Sequence, residues 1–218
     1  MNLNEFKIVS SFLDPIQDQS SIHVKACSLN GIPSMNTQRL CQLFFQGRDE
    51  ILLTRNDVFR SRRRGLETFL VSVLFWGFPH NQHRVCTYAF CNWDVLVGWV
   101  NQVRNHPAMT SLEFEGYFPI MNGIRGLGIS TYSKILYFLN ASVDGYPCLI
   151  LDNYVAKGIA NLVGNEFAQL QVASNSGRYR YYANYLQYLE ASSILAQMNR
   201  IPEINVEYTL WIAGKKNR

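Results

Sequence analysis

The sequence predicts a mainly α protein, and three observations lead there. Tyr181, Tyr185 and Tyr188 recur at i, i+4 and i+7, the stripe of an amphipathic helix. Helix starts and stops punctuate the chain, among them Asn92 before Trp93, Gly77-Phe78-Pro79, Pro107 and Pro202. A chain of 218 residues, 48% hydrophobic and 17% charged, can also bury a full core.

In chain order, residues 1–35 contain Asp14-Pro15, Gly31-Ile32-Pro33-Ser34 and the alternating apolar positions Ile22, Val24 and Ala26, so loops with a short strand or two are expected. Helices are expected over 37–45, capped near Asn36 or Thr37, and over 56–76, ended by Gly77-Phe78-Pro79. A polar segment broken by Pro79 follows, then a helix over 93–105 capped by Asn92. Another over 111–122 leads to a glycine turn, and a helix over 130–139 emerges from it. Asp152 opens a helix to about Leu162 and stands at its N-cap position. Helices over 178–198 and 204–213 close the chain, separated by Ile201-Pro202-Glu203. The reading is a single unit, 1–218, with 1–50 its least legible part and 110–165 carrying the chemistry.

That chemistry starts at Gly126-Leu127-Gly128-Ile129-Ser130-Thr131. A Gly-x-Gly turn opening straight into a helix leaves backbone N–H groups unpaired at the positive end of the helix dipole, which is a phosphate seat. Arg125, immediately before it, adds a cation. Downstream, the apolar run Leu149-Ile150-Leu151 delivers Asp152, followed by Val155 and Lys157. Helix capping alone explains an aspartate there; a carboxylate beside a backbone-gripping turn suggests work on the gripped strand.

The pair resembles the signature of the helix-hairpin-helix DNA glycosylase superfamily. Gly126-Leu127-Gly128-Ile129-Ser130-Thr131 and Ile150-Leu151-Asp152 look like the adenine-type enzymes, and Ser133-Lys134-Ile135-Leu136-Tyr137-Phe138 is similar to 8-oxoguanine glycosylases and their archaeal relatives. The resemblance covers about residues 110–165, and the loop 140–148 is a few residues longer than usual. It implies a two-lobed helical fold and a double-stranded DNA partner carrying a damaged or modified base. That base would be flipped out and its N-glycosidic bond hydrolysed. Asp152 would stabilise positive charge on the sugar or help activate the nucleophile. Gly126, Gly128, Ser130 and Thr131 would grip the strand.

Departures from the family pattern set further expectations. Bifunctional members carry a lysine just after the hairpin, where this chain has Ser130, so water is expected to attack and leave an abasic site. Lys134, one turn on and on the same face, is within reach of a sugar or phosphate. A phosphate or ion-pair role is the expectation for it, with covalent catalysis the alternative. The early-helix glutamate of the adenine-type enzymes has no counterpart in 69–76; Glu67 is nearest. A catalytically inactive DNA-binding module therefore stands as the alternative to an enzyme, and a helical protein binding no DNA as a third reading.

Candidate base-stacking rings are Trp76, Phe78, Trp93, Tyr154 and Trp211, and His80, Asn81 and Gln82 are the candidate wedge into the vacated stack. The net charge of +4 favours a polyanionic partner weakly. Arg60-Ser61-Arg62-Arg63-Arg64 reads as a solvated helix face or a phosphate contact. Arg178-Tyr179-Arg180-Tyr181-Tyr182 interleaves cations and rings as single-strand platforms do, although core packing is the simpler account of its helical stripe. Five cysteines, with only Cys148 beyond the hairpin, exclude a C-terminal four-cysteine iron–sulfur cluster and read as reduced thiols. No metal or cofactor is expected. Without a basic-then-apolar start or a membrane-length apolar run, a cytoplasmic monomer is expected.

Overall fold

The computed structural model describes residues 1–15, 21–79, 82–175 and 182–215. Among them the chain is mainly α, with thirteen α-helices and five short strands. The N-terminal segment is more regular than expected. Helix α1 (Leu3–Ser11) starts with a capping box in which Asn2 accepts from the Glu5 amide and Glu5 from the Asn2 amide. It docks on the far end of the chain: Asn205 Nδ2 donates to the carbonyls of Ser10 at 2.8 Å and Leu13 at 3.3 Å. The alternating run forms β1 (Ile22–Lys25), antiparallel to β2 (Glu50–Leu53), and α2 (Asn36–Phe45) lies between them in sequence.

The helix expected over 56–76 is two helices, α3 (Arg55–Ser61) and α4 (Leu66–Gly77). Gly65, at φ +122°, breaks the run, and Arg62 to Arg64 fill the turn before it. Helix α4 is apolar all round, with Phe69 through Trp76 buried, and is the central element of its half. The expected polar loop after it gives way at residue 82 to α5 (Gln82–Cys91), whose Val85, Cys86, Ala89 and Phe90 bury one side at helical spacing. The polar residues between those positions mask the period in the sequence.

Helix α6 (Trp93–Asn105) has its expected bounds, but Asn92 does not cap it; its amide donates back to the Tyr88 carbonyl at 2.9 Å. Next come β3 (Ala108–Met109), α7 (Ser111–Gly116) and α8 (Phe118–Gly123), the last two replacing the single helix expected over 111–122. Pro119, in the first turn of α8, has no N–H with which to continue α7. Helix α9 (Ile129–Phe138) leaves the glycine turn. The extra residues after it form a hairpin of β4 (Ser142–Val143) and β5 (Tyr146–Pro147), turned by Asp144 at φ +48° and Gly145 at φ +83°. An Asp-Gly turn with both φ positive matches the twist of the strands. Strand β3 adds in parallel to β4.

Helices α10 (Asn153–Ala160), α11 (Ala168–Asn175), α12 (Tyr182–Asn199) and α13 (Glu203–Lys215) complete the chain. With α1 they form a second helical half facing the one built on α4, α6 and α9. Helices α10 and α13 cross with their backbones touching: a Cβ at Gly158 would lie 1.8 Å from the Leu210 carbonyl oxygen, and one at Gly214 would lie 1.9 Å from that of Tyr154. Gly158→Ala is therefore expected to force the helices apart, at a cost of about 3 kcal/mol. A thermal melt followed by circular dichroism should fall by about 6 °C or more; an unchanged melt would mean that the crossing is looser than this.

Candidate active site

Helix α9 starts at Ile129 with Gly128 as its N-cap, and no side chain caps it. Of its first-turn amides, that of Thr131 is taken by the Gly128 carbonyl, and those of Ile129 and Ser130 are left for another acceptor. Gly126 takes φ +89° and is exposed, with the Tyr88 ring against it where a Cβ would stand. Arg125 is exposed and Ser130 half-buried, so both can reach a strand. Thr131 is buried, at 2% exposure, and its N–H donates to the Gly128 carbonyl at 2.8 Å. Its part in the hairpin is to build the turn.

One turn further, Lys134 enters the interior at 3% exposure. Its Nζ donates to Ser130 O at 3.2 Å and Ser130 Oγ at 3.0 Å, and forms an ion pair with Asp152 Oδ2 at 3.3 Å. The Phe78 ring lies 4.7 Å from Nζ. Gly77 makes room for the side chain, since a Cβ there would come within 2.6 Å of Lys134 Cδ.

Asp152 divides its two oxygens between two tasks. Oδ1 caps α10, accepting from the amides of Tyr154 at 2.9 Å and Val155 at 3.1 Å, while Oδ2 faces Lys134. Capping and chemistry are therefore not alternatives: the cap fixes the carboxylate that the lysine meets. The buried run before it is braced as well. Leu151 N donates to Ser133 Oγ at 3.1 Å, and the hydroxyls of Tyr185 and Tyr188 donate to the carbonyls of Leu149 at 2.8 Å and Ile150 at 3.0 Å. Tyr185 and Tyr188 of the stripe are core, as their spacing implies, and they also hold the backbone that carries Asp152. Tyr188→Phe strands a buried carbonyl and is expected to cost about 1–2 kcal/mol in urea unfolding; no loss would show that Ile150 finds another donor.

Both charged groups open onto a cavity of about 420 Å³ between the two helical halves, lined also by Trp76, Tyr154, Glu207 and Trp211. That is the size range of small-ligand sites. Trp211 stacks on Tyr208 with 5.5 Å between ring centres. Trp76 is buried, and among the described residues its Nε1 meets no acceptor. Gly126 and Gly128 do not line the cavity; α9 links the hairpin to it. Of the other candidate rings, Phe78 lies beneath Lys134 and Trp93 is core, its indole donating to Glu67 at 2.9 Å. His80, Asn81 and residues 176–181 lie outside the described residues. Gln82 opens α5 and is buried, at 6% exposure, rather than standing on a loop tip. The exposed arginines of the basic run, Arg60, Arg63 and Arg64, lie at the end of α3 and in the turn after it.

A family model described as "Putative 8-oxoguanine DNA glycosylase OGG-like protein" matches residues 32–211. The chain belongs to this family. Comparison with the curated proteins and with the solved structures finds no match. The OGG-like assignment makes this a glycosylase-like protein with DNA as its substrate class, and the matched span holds the hairpin, Lys134, Asp152 and the cavity residues Glu207 and Trp211. Among the described residues no helix is long and apolar enough to cross a membrane, and no His, Cys, Asp or Glu cluster could hold a metal ion.

The cavity also contains an acid that carries no motif in the sequence. Glu67, the acid nearest the expected early-helix position, is bound to Arg39 at 2.6 Å and to Trp93, away from the cavity. Glu207, 1% exposed, lines the cavity on α13 and is paired at 2.8 Å with Arg55, itself wholly buried. Burial pushes the Glu207 carboxyl above its ordinary range, and the Arg55 guanidinium pulls it back. The partners are 152 residues apart, so no local spacing signals them.

Proposed function

We propose that this protein is a DNA glycosylase acting on an oxidised guanine, with Lys134 as the nucleophile and Asp152 as its partner. The observation that carries the reading is the 3.3 Å Lys134–Asp152 pair, buried at the wall of a base-sized cavity. The hairpin amides would grip the phosphates of the damaged strand, with Arg125 and Ser130 beside them. The flipped base would enter between Trp76, Tyr154 and Trp211. Glu207 would accept from its edge: guanine-type bases present two adjacent N–H groups there, whereas adenine presents an acceptor that a carboxylate repels.

The lysine must present a free amine to attack, so a proton has to leave it first. Asp152 Oδ2, already 3.3 Å away, is the built-in acceptor. The free amine then adds to the sugar C1′ as the C–N bond to the base breaks; the departing base takes the proton held by Asp152, and the carboxylate so restored faces the positive charge developing on the sugar. The sugar ring then opens, the nitrogen losing a proton and O4′ leaving C1′ with one, and the imine so formed allows loss of a C2′ proton and elimination of the 3′ phosphate as its C3′–O bond breaks.

The monofunctional course remains the second reading. The observation favouring it is that Lys134 is tied to Ser130 O and Oγ as well as paired with Asp152, so it can serve as a fixed cation while Asp152 directs water. The experiment is a cleavage assay on end-labelled duplexes carrying 8-oxoguanine opposite cytosine, mispaired adenine, or uracil, with and without alkali and with borohydride. A borohydride-trapped adduct on the 8-oxoguanine duplex is the expected result. Alkali-dependent cleavage without an adduct would replace lysine by water. Salt-sensitive binding with no base release on any duplex would leave the inactive DNA-binding module.

A further inference from the structure

The Arg55–Glu207 pair is built poorly as a stabilising element. Arg55 is wholly buried on α3, with Nη2 on Glu207 Oε2 at 2.8 Å, while among the described residues its Nε and Nη1 have no well-formed hydrogen bond, the Tyr137 hydroxyl being the other polar group that acts on it. Its guanidinium carbon instead lies 4.5 Å from the Tyr137 ring centre and 5.7 Å from that of Trp76. A buried ion pair of this kind is commonly no more stable than apolar residues of equal volume, and orphaned donors make it worse. The pair is nonetheless aimed: Glu207 and Trp76 both line the cavity that holds Lys134 and Asp152, and Arg55 touches both of them from behind.

We propose that Arg55 is a positioning residue for the base pocket: by holding one oxygen of Glu207 and backing the Trp76 ring, it fixes the acceptor and the wall against which the base is read. This rests on the reading of the cavity as a base-excision site. The carboxylate faces Arg55 from α3, Lys134 and Tyr137 from α9, Asp152 at the start of α10, and Tyr185 and Tyr188 from α12. Arg55 provides the direct ion pair, and Asp152 opposes ionisation. Loss of the bidentate-capable guanidinium should let Glu207 take up a proton more readily, so base release that needs an ionised acceptor should lose its acid side at a higher pH.

The test separates reading the base from chemistry on the sugar. Arg55→Lys keeps a charge and gives up the planar fork; Arg55→Met with Glu207→Met removes both charges and keeps the volume. Each is measured for single-turnover release of 8-oxoguanine across pH and for borohydride trapping on a preformed abasic site, which needs no base contact. The expected result is a tenfold or larger loss of base release in Arg55→Lys, with its acid limb moved to higher pH and abasic trapping within twofold of wild type. The double variant should melt no lower than wild type and release no base, yet still trap. Base release at the wild-type rate in either variant would make the pair structural and overturn the proposal. Equal loss of base release and abasic trapping in Arg55→Lys would overturn it too, because the effect would then lie in folding or in the lysine. A wild-type protein that releases no base and traps nothing would remove the excision reading, and this proposal with it.

Discussion

Lys134→Gln is expected to abolish borohydride trapping and to lower release of 8-oxoguanine about 10³-fold, the scale on which loss of a nucleophile acts. Glutamine keeps most of the side-chain length and can still donate to Ser130, while Asp152 remains bonded to the amides of Tyr154 and Val155. The substitution also withdraws a charge from a site that is 3% exposed, which offsets part of what the ion pair contributes. The melting temperature should therefore move by no more than about 4 °C, the shift that roughly 1 kcal/mol produces in a chain of this size. A single outcome would reverse the assignment. If the variant still releases base and cleaves on alkali treatment while its affinity for duplex DNA falls with a shallower salt dependence, Lys134 is a phosphate contact and water is the nucleophile. That is the role the sequence favours, because Ser130 occupies the position where bifunctional relatives carry their lysine.

What was legible in the sequence follows the range of the interactions involved. The glycine turn, the α9 helix and the N-cap at Asp152 are each set within a few residues, by backbone freedom and orphan amides, and they stand where the spacing places them. The tyrosine stripe identifies a buried face but not its use, because the carbonyls it braces belong to Leu149 and Ile150, 36 and 38 residues away. Glu207 and Arg55 carry no local signal at all. A lone glutamate in a helix is ordinarily a solvated face, and only the fold brings α3 and α13 together. Other errors were local and avoidable. Gly65 splits the helix expected over 56–76, and Asn2-Leu3-Asn4-Glu5 is a capping box that marks α1 in the least legible stretch. The wedge remains the weakest part of the sequence reading: Gln82 is buried at a helix start, which an isolated run of polar residues cannot reveal.

Asp152→Asn isolates charge from architecture more cleanly than any other change in the molecule. Asparagine is as good an N-cap as aspartate, so its side-chain oxygen should keep the amides of Tyr154 and Val155 satisfied and leave α10 in place. What it removes is the acceptor for the Lys134 proton and the negative charge facing the sugar. Losing a positioned general base costs about 10²–10⁴-fold, and losing electrostatic stabilisation of the developing charge costs a further factor of similar kind. Base release should accordingly fall by at least about 10³-fold, while duplex binding, which depends on the hairpin, stays near wild type or tightens as one negative charge is withdrawn. Lys134 would retain Ser130 O and Oγ as acceptors, so the cost to stability should stay below the roughly 3–5 kcal/mol of a fully abandoned buried charge. The decisive comparison is base release against abasic trapping in the same variant. If Asp152 both deprotonates the amine and supports departure of the base, both readouts fall together. If only base release falls and trapping persists, the lysine obtains its free amine without help, and Asp152 serves the sugar alone. Unchanged activity in a folded Asp152→Asn protein would return this residue to a helix cap and move the chemistry to Glu207, the other carboxylate of the cavity.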